Sequence, residues 1–203
     1  ILFDVMDKDA DVTLPVMKQE YYTVQGITTA DGLRLFAQTV NEGGDISEWQ
    51  KDGKVILLNN IDMSALSEEW IAAGTAVHPF SGTFDGRYRK IMNMKSSTPL
   101  FGVCSGATLS NIIIDESTEF KSDVEYMTEL VFAPLAGELT DCTVSECTNN
   151  APVTVGASTL NEATFAYIAG LVGRTSGNTV ISKSYNYGNV NVTGASKSAK
   201  GQG

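Results

Sequence analysis

The sequence has little of what several classes of protein require. Only 19% of its 203 residues are charged, the formal net charge is −10 at pH 7, and no stretch concentrates Lys or Arg. Nucleic acids and anionic membrane surfaces attract basic patches, so we expect neither as a partner. No apolar run approaches the roughly 20 residues that a membrane-spanning helix needs, so we predict no membrane span in this segment.

Cysteine and histidine are too scarce for several kinds of site. Three cysteines cannot all pair with one another, which excludes a disulfide framework. Cys142 and Cys147 are separated by four residues rather than the two of a zinc or redox pair, so we expect small buried hydrophobic residues there. His78 is the only histidine, and we therefore predict no metal site, no cofactor and no cysteine–histidine nucleophile.

The chain divides into a short acidic start and one longer domain. We interpret residues 1–26 as an extended linker or the end of a preceding domain, and residues 27–203 as a β-rich domain. The first residue is Ile1 rather than Met. We expect an export signal or lipid anchor upstream of it, other domains of a longer chain, and a β-domain possibly truncated at its C-terminus.

One segment, at about residues 28–43, is typical of an α-helix. Thr28 is the predicted N-cap, and Asp31 three residues later suits the positive end of the helix dipole. Leu33, Phe36, Ala37 and Val40 recur at helical spacing, and Gly43 then favours a helix end. An amphipathic helix before a β-rich run must cover an apolar surface. We predict that it caps one end of the domain; a partner-binding helix is the alternative.

From Lys54 onward, short apolar segments alternate with glycine-rich turns. The plan repeats imperfectly: an apolar strand with small residues, a glycine turn, and a second strand of apolar, Ser/Thr, polar and small residues. We align Leu109, Leu139 and Ile181 as equivalent positions, at separations of 30 and 42 residues. Two polar stretches, Asp115–Val131 and Cys147–Ala166, are interpreted as insertions at one corner.

Such a repeat predicts an all-β fold in which stacked turns of chain form a parallel β-helix. A single turn cannot bury its inward side chains, whereas stacked turns exclude water together. Glycine or asparagine is expected at corners where φ becomes positive. A β-sandwich is the alternative, although it would show more even hairpin spacing.

Several motifs resemble those of GLUG-motif-type bacterial cell-surface proteins. The similarity begins at Ile27–Asp31, continues through Gly53–Met63 and Phe80–Gly86, and includes Gly170–Gly173 and Tyr185–Val190. The resemblance implies a right-handed, pectin-lyase-like β-helix, export to the bacterial surface and an adhesin-like role. The chain departs from the pattern at 133–137, where Pro134 and Ala136 replace the usual glycine-rich strand.

Enzymes also use this fold, so catalysis has to be judged from the residues. Polysaccharide lyases need clustered acids and a base, and glycoside hydrolases need two facing carboxylates. The best candidates are Asp85, followed by Arg87, Arg89 and Lys90, and Asp141. Because a turn explains Asp85, and Asp141 shares its expected slot with Asn111 and Lys183, we predict no catalytic residue. A lyase or hydrolase is the alternative.

We expect a non-catalytic protein that binds carbohydrate or a host surface protein. Aromatic and amide side chains at corners offer stacking faces and hydrogen bonds, and two arginines suit an anionic glycan. The candidate ligand-binding residues are Tyr185, Asn186, Tyr187, Asn189, Arg87 and Arg89. Packing within the corners is an alternative role for them. A structural stalk that displays other domains is a further alternative for the whole chain.

Overall fold

The computed structural model describes residues 25–124, 129–157 and 165–193. Within these ranges, short strands in five sheets make up most of the regular structure, together with one α-helix. The predicted all-β class is therefore confirmed. Nearly all of the predicted linker lies outside the described residues, as does the polar stretch 194–203.

The helix α1 spans Ala30–Asn41, and its N-cap is Thr29 rather than the predicted Thr28. The Thr29 hydroxyl accepts a hydrogen bond of 3.1 Å from the Gly32 amide, three residues further along the chain. Both threonines suit a cap by type, but only Thr29 precedes the first helical residue. The backbone amide of Glu42 donates to the Gln38 carbonyl, and Gly43 follows with φ 70°.

The apolar stripe of α1 is buried as predicted. Ala30, Leu33, Phe36, Ala37 and Val40 all lie against the core. The Phe36 ring has centroids 5.8, 5.7 and 5.7 Å from those of Trp49, Phe80 and Phe84. The helix thus covers the apolar side chains that the first strands present at this end of the sheets.

The strands are short, most of them two to five residues long. In chain order they are β1 Gln50–Lys51, β2 Lys54–Ile56, β3 Ile61–Asp62, β4 Thr83–Asp85, β5 Lys90–Met92, β6 Lys95–Ser96, β7 Phe101–Ser105, β8 Thr108–Ser110, β9 Ile113–Ile114, β10 Glu119–Val124, β11 Glu129–Phe132, β12 Ala136–Thr140, β13 Thr143–Ser145, β14 Thr148–Asn149, β15 Val153–Ala157, β16 Phe165–Ile168, β17 Val172–Ser176, β18 Val180–Ser182, β19 Tyr185–Asn186 and β20 Val190–Thr193. Short 3₁₀ helices occupy Ser47–Trp49 and Met63–Ala65.

The five sheets are built almost entirely from parallel pairs. Sheet I has the order β1-β2-β4-β8-β13-β18, sheet II β3-β5-β9-β14-β19, sheet III β6-β10-β15-β20, sheet IV β11-β16 and sheet V β7-β12-β17. Among the described pairs, β1 with β2 is antiparallel and the others are parallel.

Successive stretches of chain visit the sheets in one order: V, I, II, III and IV. We call one such passage a circuit. Equivalent strands of consecutive circuits lie side by side, so that Leu109 pairs with Val144 and Val144 with Ile181. These partners are 35 and 37 residues apart in the chain.

This register corrects the predicted one. Leu139 lies in sheet V, paired with Cys104 and Thr175, whereas Leu109 and Ile181 lie in sheet I. The error arises because the pattern apolar-Ser/Thr-acidic-Cys occurs twice within five residues, beginning at Leu139 and again at Val144. The sequence alignment matched the first occurrence instead of the second.

The two predicted insertions also prove to contain strands. Asp115–Val131 includes β10, and Cys147–Ala166 includes β14 and β15, which pair in register in sheets II and III. Their polar residues alternate with buried ones: Phe120 and Ser122 are buried, while Lys121 and Asp123 are exposed. Half-polar strands of this kind expose one face of the sheet and bury the other.

The cysteines are buried and free, which confirms that they act as small hydrophobic residues. Burial raises the pKa of the Cys147 thiol to about 11 and raises that of Cys104 further. No helix within the described ranges is long and apolar enough to cross a membrane.

Candidate ligand-binding surface

The six predicted binding residues fall into two groups along sheet II. Arg87 and Arg89 lie in the connection from β4 to β5, whereas the tyrosines and asparagines lie in and just after β19. Strands β9 and β14 separate β5 from β19. At ~4.8 Å per strand the two groups are about 14 Å apart along the sheet. They therefore border one side of the molecule without forming a single pocket.

Tyr185 and Tyr187 form a stacked, exposed pair. Their ring centroids are 6.1 Å apart and the ring planes differ by 19°. Both side chains point to the outer side of the chain because residues two apart in an extended segment share a face. Their amides donate to the carbonyls of Cys147 and Asn149, at 2.9 and 2.8 Å. The backbone beneath this aromatic surface is thus held by the preceding circuit.

Asn186 faces the opposite way, toward the core. Its side-chain oxygen accepts a 2.8 Å hydrogen bond from the amide of buried Asn149, and its own amide donates to the Gly188 carbonyl at 2.8 Å. Asn149 likewise donates to the Ala151 carbonyl, so the two asparagines fix the same turn in successive circuits. The structure therefore separates Asn186 from the tyrosine rings, and its contact with a ligand stays a prediction.

Asn189 follows the same corner. Its backbone carbonyl accepts a 2.8 Å hydrogen bond from the amide of Val153 in the preceding circuit. Gly188, just before it, has no room for a side chain, because a Cβ would lie 1.9 Å from the Ala151 carbonyl oxygen. The Tyr-Gly-Asn sequence thus has a local structural purpose, which is to bring two turns of backbone close together.

Arg87 and Arg89 project from a tight corner. The Arg87 amide donates to the Asp85 carboxylate at 2.9 Å, and the Arg89 amide donates to the Gly86 carbonyl at 2.8 Å. Both side chains are exposed, and neither forms an ion pair with another described residue. Both guanidinium groups can therefore meet an anionic ligand.

Three residues that the sequence analysis did not propose connect the two groups. The Tyr88 hydroxyl donates to the Glu146 carboxylate, which raises the pKa of the Tyr88 phenol. The Lys183 ammonium lies 3.7 Å from the same carboxylate. Glu146 and Lys183 occupy equivalent corners of successive circuits, with φ of 55° and 48°. The signal in the sequence is the residue after the strand serine, at Ser145-Glu146 and Ser182-Lys183.

The two acids considered for catalysis have separate structural tasks. Asp85 accepts hydrogen bonds from the Arg87 amide and, at 2.8 Å, from the Asn111 side chain. Asp141 accepts a 2.7 Å hydrogen bond from the Asn178 amide.

The expected slot of Asp141 was wrong. Asp141 follows sheet V at the position equivalent to Gly106 and Gly177, whereas Asn111 and Lys183 follow sheet I. Asp85 and Asp141 lie on circuits two strands apart and at opposite ends of the sheet I strand. Their separation is therefore more than about 10 Å, beyond the spacing of paired glycosidase carboxylates.

The described residues contain no group of three or more His, Cys, Asp or Glu side chains placed to hold a metal ion. Most aspartates in turns accept hydrogen bonds from nearby serines instead. Asp62 and Asp115, for example, bind the amides of Ser64 and Ser117.

Comparison with known proteins gives little guidance. No family model matches the chain, and no curated protein matches it. Among solved structures, it is similar to the crystal structure of a candidate immunoglobulin A1 protease from Bacteroides ovatus, with 17% identity and a TM-score of 0.38. The match covers 82% of this chain and 66% of that chain, slightly under two thirds of its length. Similarity at this level carries no argument about function.

Proposed function

We propose that this chain is part of an extracellular bacterial surface protein that binds carbohydrate or a host surface protein without catalysis. In this proposal the circuits form a right-handed parallel β-helix with α1 over one end. The ligand lies across the outer side of sheet II, on Tyr185, Tyr187 and the charged corner residues beside them.

The proposed fold is supported by the parallel register of all five sheets. Equivalent residues of consecutive circuits pair directly in sheets I, II, III and V, and the inward positions are apolar. Connections between parallel strands of one sheet are right-handed in about 98% of cases, which favours that hand here.

The observation that carries the binding proposal is the stacked tyrosine pair. Two large aromatic faces stay in water although the rest of the chain buries most of its large rings. Aromatic faces of this kind stack on the apolar faces of sugar rings, while nearby polar groups bind the hydroxyls. Lys183 and Glu146 stand beside the pair and supply a donor and an acceptor.

Two further considerations favour a surface protein without catalytic activity. Asp85 and Asp141 are both engaged in corner hydrogen bonds and are too far apart to act as a pair. The resemblance to GLUG-motif-type proteins supports export, lipid anchoring and neighbouring domains. Protease treatment of intact cells tests the location: cleavage of this protein is expected, and full protection would contradict it.

Binding is tested by applying the purified chain to an array of glycans and host surface proteins. For the ligand found, replacing both Tyr185 and Tyr187 by alanine should raise Kd at least about tenfold, because stacking on a ring contributes roughly 1–3 kcal/mol. Tyr167→Ala is the matched control, since that ring lies in sheet IV beneath Arg174. Equal losses in both variants would contradict the proposed site, and no binding at all would favour a stalk.

Catalysis is tested by incubating the chain with acidic and neutral polysaccharides and measuring new reducing ends and unsaturated products. No turnover is expected. Turnover that disappears in Asp85→Asn or Asp141→Asn would overturn the non-catalytic proposal in favour of a lyase or hydrolase.

A further inference from the structure

The last circuit leaves every sheet with an outer strand. Strands β16, β17, β18, β19 and β20 each pair with the preceding circuit, and within the described residues nothing pairs with their other side. A row of unpaired N–H and C=O groups therefore borders all five sheets at the same end. Such edges readily pair with another chain.

The inward side chains of this circuit are also uncovered. Ile181, Val190 and Val192 are 43%, 41% and 42% exposed, whereas the residues beneath them in the preceding circuit are 0–1% exposed. Those residues are Val144, Val153 and Val155, in direct register. We call the surface formed by Ala166, Ile168, Val172, Ile181, Val190 and Val192 the open end.

The remainder of the given chain is too short to cover the open end. Residues 194–203 follow β20 directly, but they number ten, and alanine is their largest apolar residue. A circuit takes 35 to 37 residues and supplies several large inward side chains. An occupant from outside this stretch is required to bury the surface.

We propose that two copies of this chain associate through their open ends around a two-fold axis. A two-fold axis perpendicular to the stacking direction would place the outer strands of the copies antiparallel, so that both rows of backbone groups find partners. The inference is separate from ligand binding, which uses the outer side of sheet II.

Charge favours this end as the meeting point of two acidic chains. The described residues 165–193 contain Arg174 and Lys183 and no acid, in a chain with a net charge of −10. Each of these cations has a partner in earlier circuits: Arg174 lies 2.7 Å from both Glu129 and Glu138, and Lys183 lies 3.7 Å from Glu146. The open end itself is uncharged, so repulsion between the chains is smallest there.

The other end determines how far association goes. There α1 buries Phe36 and its neighbours and leaves no equivalent apolar surface. Each chain then has one open end, and the assembly closes at two copies instead of growing into a filament.

The test is the molar mass of the purified 203-residue chain, measured by light scattering from about 1 to 100 µM. Twice the chain mass of 21.7 kDa is expected at the upper concentrations. Ile181→Lys should raise the dimer Kd at least about 100-fold, because a lysine ammonium would be buried against apolar side chains. Val180→Lys is the control: Val180 is adjacent on β18 and 55% exposed, but points outward, and this variant should still dimerise.

Hydrogen exchange on the unchanged chain keeps the test valid if Ile181→Lys unfolds the last circuit. Amides of β18 and β20 should become more protected as the concentration rises, while those of α1 should not change. A wild-type monomer at 100 µM, growth beyond two copies, equal weakening by both lysine variants, or concentration-independent exchange would each overturn the proposal.

Discussion

Residues at the corners decide where this chain turns from one sheet into the next. The corner after sheet V contains Gly106, Asp141 and Gly177, with φ of 66°, 54° and 61°. Glycine at corners was predicted because it adopts positive φ without steric cost. The sequence could not indicate that Asp141, Glu146 and Lys183 share this conformation, because side chains other than glycine adopt it only in a suitable tertiary setting.

Gly86 should be far less replaceable than Gly106. A Cβ on Gly86 would lie 2.5 Å from the Asn111 carbonyl oxygen, whereas a Cβ on Gly106 meets nothing within 4 Å. We expect Gly86→Ala to lower the free energy of unfolding by about 2 kcal/mol or more. Gly106→Asp should cost less than about 1 kcal/mol, because Asp141 already occupies the equivalent corner. Urea denaturation measures both, and similar losses would contradict the assigned register.

The thiols should be protected in the folded chain. Burial raises the pKa of Cys147 to about 11 and also raises that of Cys104, so little reactive thiolate is present at pH 8. Reaction with Ellman's reagent should be slow in buffer and should yield three thiols per chain in guanidinium chloride. Rapid reaction of the folded chain would show that these positions are open to solvent.

At the scale of elements, the helix was easier to predict than the strands. Five apolar residues at helical spacing define its buried face, and that face is the one observed. The strands of sheet III were missed because Glu119–Val124 alternates polar and buried residues, which resembles an exposed insertion when the neighbouring strand is unknown. Pairing between circuits, not local propensity, makes these residues strands.

The N-cap offers a matched pair of adjacent threonines. Thr29→Ala should lower the free energy of unfolding by about 1 kcal/mol, because the Gly32 amide loses its acceptor. Thr28→Ala should have little effect, since its side chain is exposed and makes no described hydrogen bond. Thermal or urea unfolding distinguishes the two, and a larger loss for Thr28→Ala would place the cap where the sequence pattern first suggested.

At the scale of the whole molecule, repetition was predictable and register was not. The glycine turns and alternating apolar residues indicated stacked turns of chain, but the pattern around Leu139 recurs five residues later and gave the wrong match. The same limit applies to the surface. Tyr185 and Tyr187 were identified from their residue type, whereas the proximity of Tyr88, Glu146 and Lys183 depends on stacking across circuits of unequal length.

Stacking in this register underlies both the proposed binding surface and the open end, and cysteine cross-linking tests it most directly. Thr108 and Thr143 are paired on neighbouring strands of sheet I, so their Cα atoms lie at the ~4.8 Å strand spacing, within the range of a disulfide. The double variant Thr108→Cys with Thr143→Cys should oxidise readily to a disulfide that mass spectrometry detects. Thr108→Cys with Glu138→Cys, the pair implied by aligning Leu109 with Leu139, should remain reduced; cross-linking of this second pair in place of the first would contradict the account.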